Sequence, residues 1–284
     1  MKSYFPKILI TGCNGQIGSA LESHPHADNF HVIACDRTAL DITQPISIHD
    51  AITQFTPDII INTAAYTAVD KAESDEEAAM LINHLGAKNL AMACTQHHIP
   101  LIHLSTDYIF DGNKSSPYLE HDTANPLNVY GKSKWLGEQA VREHCREHII
   151  LRVSAVFSEY GRNFMQTVLR LGSERKELNI VADQMTCPTY AGNIAGVIYT
   201  LCENLKSFGT YHYCDAPSAS WHEFASAIIE KAALPVEKIH AITTSEYKTP
   251  AKRPLYSVLD CSKLKLDYGI QQAEWMQEIE RCVG

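Results

Sequence analysis

A tyrosine and a lysine four residues apart could together carry acid–base chemistry. Tyr130 and Lys134 lie in the segment Tyr-Gly-Lys-Ser-Lys, and on a helix this spacing places both side chains on one face. A phenol has an unperturbed pKa of about 10, which makes it a weak acid–base catalyst at neutral pH. A neighbouring ammonium would lower this pKa by favouring the phenolate. The pair therefore predicts a proton donor or acceptor with its own electrostatic partner.

A hydroxyl group at the end of a predicted strand could complete this pair. Thr106 lies in the run Ser-Thr-Asp that closes the fourth strand, and the carboxyl ends of strands are where open parallel sheets bind ligands. Its hydroxyl could hydrogen-bond a carbonyl oxygen on which negative charge develops. We therefore predict Tyr130, Lys134 and Thr106 as the catalytic residues.

A glycine-rich turn near the start of the chain indicates a nucleotide site. Gly12, Gly15 and Gly18 follow the first strand and open a helix, where backbone N–H groups can approach a pyrophosphate. The spacing is G-x-x-G-x-x-G, and glycines at such a turn need no ligand, so the triplet decides little by itself. At the end of the second strand, Asp36 could bind ribose hydroxyls and Arg37 could bind a 2′-phosphate. These residues leave the choice between NAD and NADP open.

Alternation of strand-like and helix-like segments predicts the fold. Aliphatic runs of strand length lie at 7–11, 31–35, 58–62, 100–105 and 148–157, and longer helix-like stretches separate them. This order is typical of right-handed crossovers in a parallel sheet. We predict an α/β protein with a Rossmann-type, doubly wound parallel sheet.

The second half of the chain has a less regular pattern. It contains a strand candidate at 210–214 and a helix candidate at 221–233, and no Gly- or Ser-rich linker precedes it. Two tightly packed parts that share a cleft are expected from this pattern. We predict a dinucleotide-binding domain at 1–157 and a smaller C-terminal substrate-binding lobe at 158–284, with a soft boundary that the chain crosses.

Composition excludes several classes of protein. The chain has 284 residues, 45% of them hydrophobic, and a net charge of −9, which argues against a nucleic-acid-binding surface. No aliphatic run approaches the ~20 residues that a membrane span needs, and no secretory signal is visible. The nine cysteines are odd in number and scattered, unlike a disulfide framework or zinc site. We expect a cytoplasmic protein with reduced thiols and with no metal, nucleic-acid or membrane partner.

Taken in order along the chain, a set of motifs resembles the dTDP-4-dehydrorhamnose reductases, members of the extended short-chain dehydrogenase/reductases. The matching segments are 15–18, 40–43, 62–73, 105–110, 126–134 and 162–164, followed by 183–184 with 188–189 and by 253–254 with residues 257, 259 and 260. The resemblance implies reduction of the 4-keto group of dTDP-4-dehydro-L-rhamnose to dTDP-L-rhamnose, a precursor of surface polysaccharides such as O-antigen or cell-wall polymers. It implies NADPH as the cofactor, with NADH as the alternative, a dTDP-sugar as the substrate, and a monomer or homodimer.

The same resemblance implies a role for each matching position. Tyr130 would donate the proton, Lys134 would hold the nicotinamide ribose and tune Tyr130, and Thr106 would polarise the ketone. With Tyr130 and Lys134, the residues expected at the cofactor are Gly12, Gly15, Gln16, Ile17, Gly18, Asp36, Arg37, Asp41, Ile42, Ala64, Ala65 and Tyr66. Those expected at the sugar nucleotide are Thr67, Val69, Thr106, Asp107 and Asn163.

Two departures from the family pattern bear on the site. Ala155 stands where the family often has Trp against the sugar, so that stacking wall is missing or supplied elsewhere. Trp221 and Trp275 are expected to be packing anchors. Ala20 stands where some family members have a Glu that binds magnesium at a dimer interface, so we predict no such metal site.

Two alternatives to this function remain open at the sequence level. One is a reductase of another nucleotide keto-sugar. Dehydratases of the superfamily are disfavoured because Tyr108 follows Asp107, where those enzymes typically have Glu. The other is a non-catalytic regulatory subunit, since the fold resembles the regulatory subunit of a methionine adenosyltransferase, and such proteins can keep the Tyr and Lys.

Overall fold

Short strands and intervening helices alternate along the chain. The computed structural model describes residues 5–283, so residues 1–4 and 284, the outer ends of the two predicted domains, lie outside the described residues. The strands are β1 (Lys7–Thr11), β2 (His31–Cys35), β3 (Ile59–Asn62), β4 (Leu101–Thr106), β5 (His148–Val153), β6 (Val156–Phe157), β7 (Glu177–Val181), β8 (Met185–Thr186), β9 (Thr189–Tyr190), β10 (Gly209–His212), β11 (Ala219–Ser220) and β12 (Lys238–Ile242).

Helices connect these strands on both faces of the sheet. They are α1 (Gln16–Ser23), α2 (Pro45–Phe55), α3 (Val69–Ala72), α4 (Glu76–Met80), α5 (Ala87–His97), α6 (Val129–His144), α7 (Phe164–Glu174), α8 (Ala191–Glu203), α9 (Trp221–Lys231), α10 (Ser262–Tyr268) and α11 (Trp275–Val283), with a π-helical turn at Leu81–Gly86 and 3₁₀ turns at Pro25–Asn29 and Asp107–Ile109. Local chemistry sets their starts. Pro45 occupies the first turn of α2, where its missing N–H costs nothing, and Asn128 caps α6.

Six of the strands form a parallel sheet, as predicted. Its order is β10-β5-β4-β3-β1-β2, and every neighbouring pair is parallel. The chain runs outward from β1 in both directions, so the strand order reverses between β1 and β3. Doubly wound sheets bind ligands at the carboxyl edge beside such a switch point. Because β10 belongs to this sheet, the second half of the chain contributes a strand to the central sheet.

The fifth predicted strand, 148–157, is broken in the structure. β5 ends at Val153 and β6 begins at Val156, because Ala155 between them adopts a left-handed conformation with φ of 39°. This turn takes β6 out of the central sheet, and β6 pairs with β9 instead. The break lets the chain leave the sheet at its carboxyl edge, where the other strands also end.

Two apolar cores cover the two faces of the sheet. Ile8 and Ile10 pack with α1 and α8 on one face, while Leu9 packs with α2 and α5 on the other. A third core, which surrounds Phe224, lies between α7, α9 and α11. All nine cysteines are free, and eight of them are buried. Within residues 5–283, no helix is long and apolar enough to cross a membrane, and no group of three or more His, Cys, Asp or Glu side chains is arranged to hold a metal ion.

Candidate active site

A cleft of about 820 Å³ opens at the carboxyl ends of the sheet strands, a volume typical of small-molecule sites. The turn after β1, the end of β2, the loop after β3, the end of β4 and the first turns of α6 line one part of it. Gly161, Arg162, Phe164 and Trp221, from the second half of the chain, line much of the rest. The cleft therefore has a wall from each half of the chain.

The glycine turn after β1 brings backbone, rather than side chains, to the wall of the cleft. Gly12 has φ of +69°, and a Cβ there would lie 2.7 Å from the Cα of Ala64. A Cβ on Gly18 would lie 2.6 Å from the Cα of Cys13, so Gly18 allows α1 to pack against the turn. Gly15 is the N-cap residue of α1 and has no side chain to cap it. The N–H groups of this first turn therefore suit a phosphate.

A carboxylate and a guanidinium stand side by side at the end of β2. The Asp36 carboxylate accepts hydrogen bonds from the Thr38 hydroxyl, at 2.6 Å, and from the backbone N–H of Ala39, at 3.0 Å. These bonds, chiefly that of the Thr38 hydroxyl, lower the pKa of Asp36, so the group is ionised at neutral pH. Arg37 is 72% exposed and its Nε lies 3.2 Å from Asp41 Oδ2. Asp36 and Arg37 both line the cleft. The carboxylate suits the hydroxyls of an adenosine ribose, and the guanidinium suits a 2′-phosphate.

Tyr130 and Lys134 lie on one face of α6, as the spacing predicted. Asn128 accepts the N–H of Gly131 at 2.8 Å and so fixes the start of the helix. A Cβ on Gly131 would overlap the carbonyl oxygen of Tyr108, so only glycine allows α6 to approach the segment after β4 this closely. Lys134 is buried, with its Nζ 2.5 Å from the carbonyl oxygen of Leu104.

The pKa of Tyr130 is raised, which is opposite to the sequence-based expectation. Burial raises it to about 12, against a smaller lowering by the hydrogen bond with Thr106. Lys134 directs its ammonium at Leu104, and burial lowers the pKa of Lys134 to about 8. Both side chains are therefore protonated at neutral pH, and a protonated phenol has a proton to donate.

The third predicted catalytic residue, Thr106, belongs to a buried chain of hydrogen bonds. Its Oγ1 accepts the N–H of Tyr108 at 3.1 Å and donates to Asp107 Oδ1 at 3.1 Å. The other oxygen of Asp107 accepts the Ser154 hydroxyl at 2.8 Å, and the Ser154 Oγ lies 2.8 Å from Thr186 Oγ1. Burial raises the pKa of Asp107. These contacts tie the end of β4 to the second half of the chain.

Two aromatic rings from the second half of the chain line the cleft. Phe164 begins α7 and Trp221 begins α9, and their ring centroids are 4.6 Å apart. Ala155, at the break between β5 and β6, lines the same cleft. An aromatic surface is therefore present although Ala155 stands where the family pattern often has Trp.

Comparisons with known proteins agree with this geometry. A sequence profile of the family described as RmlD substrate binding domain matches residues 6–284. The chain belongs to this family. It is 42% identical to the dTDP-4-dehydrorhamnose reductase of Aggregatibacter actinomycetemcomitans over 96% of this chain and 97% of that protein. It is 40% identical to the protein of the same name from Sinorhizobium fredii, over 98% of this chain and 96% of the relative.

Solved structures of the RmlD family show the same fold. A dTDP-4-dehydrorhamnose reductase from Bacillus anthracis str. Ames, in complex with NADP, superposes with a TM-score of 0.94 at 37% identity and covers 98% of both chains. The α/β fold with a parallel sheet that the sequence predicted is thus the fold of the family. The suspected relationship to dTDP-4-dehydrorhamnose reductases is confirmed.

Most of the predicted site residues of this RmlD family member line the cleft. They are Gly12, Gly15, Gln16, Ile17, Asp36, Arg37, Asp41, Ile42, Ala64, Ala65, Thr67, Val69, Thr106, Asp107, Tyr130 and Lys134. Gly18, Tyr66 and Asn163 lie behind it. The Tyr66 hydroxyl donates to Asp75 Oδ2 at 3.1 Å, and the Asn163 amide donates to Gln16 Oε1 at 2.9 Å. Asn163 therefore reaches the cleft through a residue that lines it.

Sequence reasoning missed the aromatic wall. Trp221 was expected to be a packing anchor like Trp275, and Trp275 is indeed buried, at 2% exposure, whereas Trp221 lines the cleft. No local signal separates the two residues, since each begins a helix. Only the packing of α9 against α7 brings Trp221 to the site.

Proposed function

We propose that this protein is an NADPH-dependent reductase that converts dTDP-4-dehydro-L-rhamnose to dTDP-L-rhamnose. The observation that carries the proposal is the convergence of Tyr130, Lys134 and Thr106 on one cleft in a chain 42% identical, over nearly its whole length, to a dTDP-4-dehydrorhamnose reductase. The product would serve surface polysaccharide synthesis. One relative, at 36% identity, is a Bacillus subtilis protein named for spore coat polysaccharide biosynthesis.

The glycine turn and the end of β2 would hold the cofactor. The N–H groups at the start of α1 would bind the pyrophosphate, Asp36 the ribose, and Arg37 the 2′-phosphate. Both side chains line the cleft, and the relative from Bacillus anthracis is in complex with NADP. When bound, NADPH supplies the hydride for the keto carbon of the sugar.

The groups around the ketone would manage the negative charge that develops on its oxygen. Tyr130 is protonated at neutral pH because burial raises its pKa to about 12, and it would donate its proton to that oxygen. Thr106 would polarise the same oxygen by hydrogen bonding. Lys134 would hold the nicotinamide ribose and supply a positive charge close to Tyr130.

The wall from the second half of the chain would bind the sugar nucleotide. Phe164 and Trp221 offer an apolar face on which a pyrimidine base or a sugar ring can stack. Thr67, Val69 and Asp107 line the neighbouring part of the cleft and would face the sugar. In this proposal residues 1–157 chiefly bind the cofactor and residues 158–284 chiefly bind the substrate.

We propose a cytoplasmic location, where nine free cysteines stay reduced, and a monomer or homodimer.

Cofactor absorbance provides the test. Purified protein is mixed with dTDP-4-dehydro-L-rhamnose and NADPH or NADH, and Tyr130→Phe is compared with Tyr108→Phe, whose ring lies 6.1 Å from that of Tyr130. We expect NADPH oxidation by the wild type, a loss of about 10²-fold or more in Tyr130→Phe, and a much smaller loss in Tyr108→Phe. If NADPH is oxidised only with a different nucleotide keto-sugar, that sugar is the substrate and dTDP-4-dehydro-L-rhamnose is not. If the protein binds NADPH but turns over no sugar, the proposal is overturned in favour of a regulatory role.

A further inference from the structure

A buried ionic cluster lies directly behind the catalytic pair. Glu138 has no solvent exposure, and its carboxylate accepts two hydrogen bonds from Arg152, from Nε at 2.9 Å and from Nη2 at 2.8 Å. Arg142 Nη2 lies 2.6 Å from Glu138 Oε2, and the Ser105 hydroxyl donates to Oε1 at 2.5 Å. These bonds keep the carboxylate ionised and lower its pKa to about 2, against the opposing effect of burial.

The position of Glu138 connects this cluster to the reaction site. Tyr130, Lys134 and Glu138 follow one another at intervals of four residues on α6, so they share one face of the helix. Lys134 bonds the carbonyl oxygen of Leu104, and Glu138 bonds the hydroxyl of Ser105. Two consecutive residues of β4 are thus fastened to two consecutive turns of α6. The next residue of β4 is Thr106.

Titratable groups around Lys134 and Glu138 come from β4, β5 and α6. His103 on β4 and His148 on β5 are held neutral because burial lowers the pKa of each. Arg152 on β5 and Arg142 on α6 are cations, and both are paired with Glu138. Glu138 is the anion in this set, and its charge favours the ammonium form of Lys134 against burial.

Fold stability alone does not require an ion pair here. Replacing a buried ion pair with matched neutral or apolar side chains is often neutral for stability, because the desolvation of two charges offsets their attraction. A carboxylate one turn from a buried catalytic lysine supplies something that a neutral pair cannot, namely a fixed negative charge that remains at every pH at which the enzyme works.

We propose that Glu138 is a positioning residue for the reduction: it holds Lys134 as an ammonium and fastens the Ser105–Thr106 strand end to the helix that carries Tyr130. This inference rests on the proposed function, in which Lys134 holds the nicotinamide ribose. It adds a residue that touches neither substrate nor cofactor and acts through Lys134 and Ser105.

The test is the pH profile of kcat/KM in full-length variants. Lys134 titrates at about 8 in the protein without ligands, and loss of a nearby opposite charge lowers such a pKa by about one unit or more. We therefore expect the alkaline limb of Glu138→Gln to move to lower pH by about one unit, with a higher KM for NADPH. Glu143→Gln, the same substitution at a side chain on α6 that is 75% exposed, should keep the wild-type profile.

A double variant separates charge from stability. Glu138→Gln leaves the buried Arg152 without its carboxylate partner and could fail to fold, whereas Glu138→Gln/Arg152→Gln places two amides opposite each other. If the double variant unfolds at the wild-type temperature yet keeps the displaced alkaline limb, the inference holds. If it regains the wild-type limb, Glu138 serves only to neutralise Arg152 and the inference fails.

NADPH binding distinguishes this inference from the proposed function. Affinity is measured by NADPH fluorescence across the same pH range, without any sugar substrate. Weaker binding by the double variant at alkaline pH, with wild-type binding near pH 6, would support the role of Glu138 even if no keto-sugar were turned over. Identical pH dependence of binding in the wild type and the double variant would overturn it, whatever the activity.

Discussion

The contact between Gly131 and Tyr108 sets the distance between Tyr130 and the end of β4. Gly131 follows Tyr130 directly, and a Cβ placed on it would overlap the Tyr108 carbonyl oxygen and stand 3.0 Å from the carbonyl carbon. The carbonyl group of Tyr108 cannot rotate away as a side chain could, because it belongs to the backbone. Gly131→Ala should therefore push the first turn of α6 away from the segment after β4.

The size of this displacement follows from ordinary contact distances. Carbon atoms pack at about 3.5–4.0 Å, so the 3.0 Å contact with the carbonyl carbon by itself requires the helix to retreat by about 0.5–1 Å, and the closer overlap with the carbonyl oxygen requires more. Tyr130 moves with the helix while Thr106 stays on β4. A misplacement of about 1 Å can cost about 10²-fold in rate, and we expect kcat to fall by about that factor, with a smaller change in the KM for NADPH.

The assay compares kcat and unfolding temperature with those of a matched control. Gly196 lies inside α8, and a Cβ there meets only the end of the His24 side chain, at 3.2 Å, which can move. Gly196→Ala should keep wild-type kcat and gain stability of about 0.5–1 kcal/mol from the better helix former. The reasoning is refuted if Gly131→Ala folds and its kcat stays within about threefold of the wild-type value, since the expected loss for such a shift is much larger.

Three further predictions follow from the same structure. Arg37→Gln should raise the KM for NADPH about tenfold and leave the KM for NADH nearly unchanged, since an exposed guanidinium would bind only the 2′-phosphate; equal effects on both cofactors would contradict this. Trp221→Ala should raise the KM for the sugar nucleotide about tenfold while sparing NADPH binding, because it removes one of the two aromatic rings that line this wall, the other being Phe164. The pKa of Glu138 is lowered from 4.5 to about 2 in the folded protein. The ionised carboxylate therefore stabilises the fold above pH 4.5, and this stabilisation is lost as the pH falls towards 2. Urea unfolding should show the wild type losing about 2 kcal/mol more than Glu138→Gln between pH 6 and pH 3.

The strands and the catalytic helix could be predicted because their signals are local. Unbroken aliphatic runs such as 59–61 mark strands buried on both faces. Tyr130 and Lys134 needed only a helix to share a face. The break at Ala155 could not be predicted, because a left-handed residue leaves no trace in an apolar sequence. The succession of α3, α4, a π-helical turn and α5 over residues 69–97 likewise cannot be read from an amphipathic pattern alone.

Tertiary packing decided the parts of the site that sequence could not. Trp221 and Trp275 look alike along the chain, yet only Trp221 lines the cleft. Glu138 looks like an exposed helix residue in sequence, and its burial follows from Arg152, which reaches it from β5. The contacts of Glu138 with Arg152 and of Trp221 with Phe164 join different elements of the chain. The periodicity of a single element carries no information about such contacts.

The pKa of Tyr130 is shifted upward by burial, opposite to the shift expected from its spacing to Lys134, and this favours reduction over oxidation. Spacing alone suggested that Lys134 would favour a phenolate, but burial raises the pKa of Tyr130 to about 12 and lowers that of Lys134 to about 8. Forming the phenolate at pH 7 would cost about 7 kcal/mol, whereas the phenol is ready to donate. Reduction of a ketone consumes a proton at the new alkoxide, and oxidation of an alcohol would need the phenolate first. The protein without ligands therefore holds the protonation state that reduction uses.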